Sequence, residues 1–94
     1  MMLTLDEVKT HLRIQHDEED DYIEGLIRKS QSAAEDYCRV TFPDESPESA
    51  RLAVLLMVSH YYENRDNPDR QVYKAMREAF ENLLYPHRDP EKMF

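Results

Sequence analysis

Apolar residues recur along this chain at helical spacing, and no segment alternates apolar and polar positions long enough to make a strand. Leu5, Val8 and Leu12 share one face of a short first helix, predicted over 5–13. Thr4 and Glu7 frame its start as a capping box, with Thr4 as N-cap and Glu7 reaching back. Asp17 opens a second helix over 17–39, whose buried stripe is Ile23, Leu26, Ile27, Ser30, Ala34, Tyr37 and Cys38. The acids of 17–21 sit where the helix dipole favours negative charge, and solvation of that terminus is their simplest role. The polar face of the same helix carries Glu24, Arg28, Lys29, Gln31, Glu35 and Arg39, with the two bases in reach of Glu24 and Glu35. Gly25 weakens this helix, so it is expected to mark a close helix–helix approach.

Residues 40–47 break the pattern with β-type residues and two prolines. Phe42 is the one large apolar group there, and it is expected to plug the core. Helix 3 runs over 47–64, with Ser46 as its N-cap and Pro47 in its first position. It is apolar nearly all round. Leu52, Leu55, Leu56 and Ser59 form one stripe; Ala53, Met57 and Tyr61 a second; Val54, Val58 and Tyr62 a third. Such a helix is either the spine of the domain or meets another subunit with one stripe. A loop leads to helix 4 over 71–84, with Val72 or Tyr73, Met76, Phe80, Leu83 and Leu84 inward and Pro86 as the stop. The fold class expected is all-α: a small bundle of about four helices (approximately 5–13, 17–39, 47–64 and 71–84) with a loop at 40–47 and an irregular C-terminal tail. Residues 1–94 read as a single helical domain with 86–94 as a flexible tail.

Composition sharpens this picture. A chain of 94 residues buries only about 60–65 % of its unfolded surface, so a second copy is a natural source of further burial. The net charge is −8, and residues 1–38 hold ten acids against four bases. That balance excludes a protein that wraps DNA by neutralising phosphates and argues against sequence-specific nucleic-acid binding. It suits a surface past which DNA slides without sticking. The single cysteine, Cys38, excludes an internal disulfide and reads as helix packing. The opening residues lack a basic region and an apolar core, so no signal peptide is expected, and the run 52–58 is too short for a membrane span.

Chemistry is sparse. His11 and His16 have the wrong spacing for a helical zinc pair, and His60 with Glu63 lacks the second Glu-x-x-His that a bundle metal site needs. The acidic run 17–21 has no glycine where a calcium loop requires one. Neither a phosphate-binding glycine loop nor a nucleophile elbow is present. No enzymatic activity, catalytic residue, metal or cofactor is therefore expected. Six tyrosines without a tryptophan point instead to contact surfaces. Tyr61 and Tyr62 lie about 100° apart on a helix, so both cannot face one core.

Four segments, in order, resemble the head–tail connector family of tailed bacteriophages, also called head-completion adaptors or DNA-packaging proteins. They are the opening Leu3-Thr4-Leu5-Asp6-Glu7-Val8-Lys9-Thr10-His11-Leu12-Arg13-Ile14; the acidic stretch into Asp21-Tyr22-Ile23-Glu24-Gly25-Leu26-Ile27, with Ala33-Ala34-Glu35-Asp36-Tyr37; the helix end His60-Tyr61-Tyr62-Glu63-Asn64-Arg65; and Leu83-Leu84-Tyr85-Pro86-His87-Arg88, similar to the family's closing Leu-Leu-x-Pro-Tyr-Arg. His87 stands where that family commonly has tyrosine, and 66–71 lacks its frequent Leu-Pro turn. The resemblance implies a structural virion protein, phage or prophage in origin. It implies a homo-oligomeric ring of roughly a dozen subunits. The ring would dock on the portal protein after DNA packaging, form part of the DNA conduit, and receive the next tail-side adaptor or stopper protein. The protein would then sit at the head–tail interface of the virion, and in the host cytoplasm during assembly, without contacting membrane. Tyr62, Glu63, Asn64 and Arg65, together with Pro86, His87, Arg88 and Phe94, are the expected subunit or partner contacts. The alternative role for two of them is intramolecular: Asn64 capping helix 3, and Arg65 pairing with an acid of its own chain.

A reading of a different class is a small acidic helical regulator that binds and inhibits a host factor through the 17–24 face. Reversal of Asp20, Asp21 and Glu24 to lysine would abolish partner binding by such a regulator. A connector would suffer more from Arg65→Glu or loss of the tail.

Overall fold

The four expected helices are present in the computed structural model, which describes residues 1–89. They are α1 (Leu5–Leu12), α2 (Asp20–Cys38), α3 (Glu48–Glu63) and α4 (Arg70–Leu84), with a 3-10 turn at Tyr85–His87 after the last. Among the described residues there is no strand. α3 is the spine. It packs on α2 and on α4, and it buries Ala50, Ala53, Val54, Met57 and Val58 between them. Its outer stripe is only partly covered: Leu55 and Leu56 are half-buried, and Leu52 remains 49 % exposed.

The core is built from the predicted stripes. Val8 of α1, Ile23, Leu26, Ile27, Ala34 and Cys38 of α2, and Met76, Phe80 and Leu84 of α4 are all buried. Burying a large aliphatic or aromatic side chain stabilises by about 1.5–3 kcal/mol, which is what holds short helices of modest intrinsic stability in place. Val72 and Tyr73 depart from the expected inner face of α4 and are 45 % and 36 % exposed. They lie in the first turn of α4, where Tyr73 borders an open cleft. Cys38 is enclosed; burial pushes its thiol pKa up, although the nearby Arg88 charge opposes this, and Sγ lies 3.6 Å from the Leu84 carbonyl oxygen.

Helix boundaries differ from expectation where side chains have stronger uses than capping. Thr4 Oγ1 does accept from the Glu7 amide at 3.1 Å, but Glu7 turns away to pair with Arg51 of α3, so only half of the capping box forms. α2 starts at Asp20, three residues later than expected, because Asp17 and Asp20 both bind Lys9 Nζ at 2.7 Å and hold 17–19 in a turn. That double contact raises the Lys9 pKa and lowers that of Asp17. Ser46 does not cap α3: its hydroxyl donates to the Pro43 carbonyl, and Pro47 takes the N-cap position. α1 and α2 both end on arginines in the left-handed region, Arg13 and Arg39, each at φ 61°. Glycine is the usual residue there.

Two expectations for α2 fail in detail. A Cβ built on Gly25 would meet only Arg28 Nη2, at 3.9 Å, so no neighbouring helix approaches closely there. Gln31 and Glu35, predicted on the polar face, instead tie down two non-helical segments. Gln31 is buried and its Oε1 accepts the Met2 amide at 2.9 Å; its Nε2 donates to Glu35 Oε2 at 3.3 Å. The same Glu35 oxygen accepts the Phe42 amide at 2.9 Å. This relay seats Met2 and Phe42, both nearly enclosed, on the core, and it satisfies amides that no helix could serve. Phe42 plugs the core as expected.

Candidate interface at the two ends of helix α3

The contact residues expected from sequence fall into two groups at opposite ends of α3. A helix of 16 residues spans about 24 Å, so the groups do not form one site.

At the N-terminal end of α3 the side facing the Phe42 loop is packed shut, while smaller clefts of about 530 and 330 Å³ open on the side of α1 and the first residues. Pro86 and His87 belong to the 3-10 turn, which folds back beside the loop carrying Phe42. The His87 ring packs edge-on against Phe42 at 6.4 Å, and its Nε2 shares a hydrogen bond of 2.6 Å with Ser49 Oγ. Arg88 lies over the Tyr37 ring at 4.6 Å, and the Asp89 amide donates to the Cys38 carbonyl at 2.9 Å. Pro86 and Tyr85 are exposed. Phe94 lies outside the described residues.

At the C-terminal end of α3 the surface opens. A cleft of about 650 Å³ lies between α2, α3 and the start of α4. Tyr22 and Leu26 of α2, Tyr61 of α3 and Tyr73 of α4 give it aromatic and apolar walls, and Pro68 and Arg70 form its outer edge. Tyr22, Leu26 and Lys29 reach it together because they lie four and three residues apart on one face of α2. His60, Tyr61 and Tyr73 form a cluster of tilted and edge-on rings 5.6–6.3 Å apart. Burial, and after it the neighbouring Tyr73 hydroxyl, hold the Tyr61 pKa above its ordinary value. Lys29 Nζ rests 4.0 Å above the Tyr61 ring.

One latch closes the rim of this cleft. Tyr62 donates its hydroxyl to Glu19 Oε1 at 2.8 Å, and Arg65 pairs with the other Glu19 oxygen. Arg65 also lies over two rings, Tyr62 at 4.8 Å and Tyr22 at 5.3 Å. The Arg65 hydrogen bond, then that of Tyr62, hold the Glu19 carboxyl below its ordinary pKa; the bond to Glu19 in turn raises the Tyr62 hydroxyl. Asn64 caps α3: its Nδ2 donates to the His60 carbonyl at 2.9 Å, alongside its own backbone amide at 3.0 Å. Both intramolecular roles considered for Asn64 and Arg65 are therefore filled in the single chain. Glu63 is exposed to solvent.

Sequence reasoning missed Glu19, Lys29, Tyr73 and Arg70 as members of this site. The spacing assigns Leu26 to the buried stripe and Lys29 to the polar face, and leaves Tyr22 unplaced, so their common side is not evident from sequence. Glu19 was hidden in a run of acids that looked alike. Asp17, Glu19 and Asp20 of that run are each tied to a base, so the 17–24 face keeps only Glu18, Asp21 and Glu24 free of ion pairs among the described residues. Among the described residues there is no group of three or more histidine, cysteine, aspartate or glutamate side chains placed to hold a metal ion, and no helix long and apolar enough to cross a membrane.

Compared with known proteins, residues 2–88 match the sequence model of a family described as phage gp6-like head-tail connector protein. No curated protein matches, and no solved structure does.

Proposed function

Because this chain belongs to the phage gp6-like head-tail connector family, we propose that it acts as the repeating subunit of a ring that docks on the portal protein once the genome is packaged. The ring forms part of the conduit through which DNA passes to the tail, and it receives the next tail-side protein. The match over residues 2–88 carries this reading. Features of the surface support it. Tyr22, Leu52, Val72, Tyr73 and Tyr85 leave large apolar area exposed on a small bundle, which a repeated head-to-tail interface would cover. The net charge of −8 suits a passage that must not grip a polyanion. Tyr62, Asn64 and Arg65 serve the ring by shaping the open cleft. Pro86, His87 and Arg88 form the second contact region, at the far end of α3.

Cryo-electron microscopy of the assembled virion tests this. The expected result is a ring beneath the portal whose density is filled by copies of this four-helix subunit. Particles lacking the gene should hold packaged heads that fail to join tails. Infectious tailed particles made without the protein would refute the reading.

A further inference from the structure

We infer that the open cleft is the seat for a second copy of this chain, and that the part it takes is the exposed face of α2 that carries Asp21 and Glu24. The inference rests on the ring reading and names the surfaces through which the ring would close.

The cleft is a basic spot on an acidic protein. Three bases line it, Lys29, Arg65 and Arg70, against one acid, Asp69. The acid is already in use: Asp69 Oδ1 accepts the Gln71 and Val72 amides as the N-cap of α4. Arg65 is held by Glu19. Lys29 and Arg70 have no carboxylate partner among the described residues, and Lys29 has only the face of Tyr61 beneath it. Exposed Tyr22 and Tyr73 supply apolar area beside these charges. Such a surface fits a helix that offers carboxylates beside an apolar stem.

The chain carries that helix face. Asp21 and Glu24 lie three residues apart on one side of α2, both exposed and neither in an ion pair among the described residues; exposed Arg28 shares that side one turn on from Glu24, which leaves the face net acidic by one charge. They cannot serve the cleft of their own chain. Tyr22 and Lys29 line that cleft and Asp21 and Glu24 do not; at about 100° per residue the two pairs stand roughly 80–160° apart around α2. The two surfaces are therefore distinct, opposite in charge and carried by every copy. A contact between them is heterologous and leaves one free surface of each kind, so it propagates until it closes. A two-fold dimer through the cleft would instead face bases with bases.

Charge reversal with complementation tests the pairing. The variants are Lys29→Glu/Arg70→Glu and Asp21→Lys/Glu24→Lys in the full chain, all at exposed or cleft-lining positions, with circular dichroism to confirm folding. Self-association is read by native mass spectrometry and by analytical ultracentrifugation at low and high salt. Wild type should associate at low salt and dissociate as salt screens the contact. Each double variant alone should associate at least about tenfold more weakly, and an equimolar mixture should recover assembly. Folded variants that associate like wild type would overturn the inference, as would a mixture that fails to recover or a wild type that stays monomeric at millimolar concentration. Loss of incorporation into virions by the cleft variant alone, with self-association unchanged, would also overturn it by assigning the cleft to another protein. None of these results removes the ring from the virion, so the connector reading stands or falls separately.

Discussion

The two ends of α3 solve opposite problems with similar residues. At its N-terminal end an aromatic side chain, Phe42, is driven inward until only 8 % of it is exposed, and His87 and Ser49 close over it. At its C-terminal end four aromatic rings, those of Tyr22, His60, Tyr61 and Tyr73, gather around an open cleft. The difference lies in the loop at each end. The loop at 40–47 is anchored by the Glu35 carboxylate and delivers a plug. The loop after Asn64 carries charge and one proline, Pro68, at the cleft, and delivers no large apolar side chain to fill it. Tyrosine and histidine tolerate that exposure because each has a polar atom for water. The packed side contributes stability and offers a partner only its outer residues, Tyr85 and Pro86, whereas the open cleft leaves whole rings available for contact.

The comparison breaks first at Phe42. Phe42→Ala is expected to cost about 3 kcal/mol or more, because a buried ring is lost and a cavity remains. For a chain of this size that lowers the Tm by roughly 12–24 °C. Tyr73→Ala, at the open end, should cost less, about 1 kcal/mol, since its ring is 36 % exposed and loses chiefly its contacts with the His60 and Tyr61 rings. Equal losses in calorimetry would show that the open end is as much a core as the closed one.

Gln31 sharpens the same contrast. Gln31→Ala strands the Met2 amide without its acceptor, and it should destabilise by about 1–3 kcal/mol in a denaturant titration. Hydrogen exchange at Met2 and Phe42 should speed up while exchange in the middle of α3 changes least. Gly25 gives an effect of opposite sign. Gly25→Ala has room for its methyl group, and it should stabilise by about 1 kcal/mol. A loss there would reveal a neighbour that the single chain does not show.

The smallest expected effect is that of the latch. The Glu19 carboxyl has a folded pKa below its ordinary 4.5. A depressed pKa contributes stability that is fully present above 4.5 and lost as pH falls through the folded value. Wild type should therefore lose stability more steeply than Glu19→Gln below pH 4.5, and the two should run parallel at higher pH. A fluorescence signal from Tyr22 and Tyr62 that tracks acid release of Arg65 would tie the change to the cleft rim.

Much of the fold was legible in the order of residues. The core stripe of α2, that of α4 from Met76 onward, the burial of Cys38 and the plugging role of Phe42 follow from spacing and size alone, because a helix turns one face to the core and water excludes apolar groups. Uses of polar side chains were not legible. Nothing local marks Gln31 as buried, Glu7 as a partner of Arg51, or Glu19 among five consecutive acids as the one that holds Arg65. Their partners stand 29, 44 and 46 positions away in the chain. Likewise Tyr61 and Tyr62 could be told apart in direction but not in destination.

By itself the sequence determined that this protein is a small acidic bundle of helices with surplus apolar surface, and the order of its motifs marked its connector family. Only the tertiary structure decided that the Phe42–His87 side of α3 is packed shut while the Tyr22–Tyr73 side is open, and so which of the expected contact residues share a site. The reason is physical. Helical periodicity is written into neighbours three and four residues apart, whereas a cleft is made by the meeting of three helices and depends on distances that no local pattern encodes.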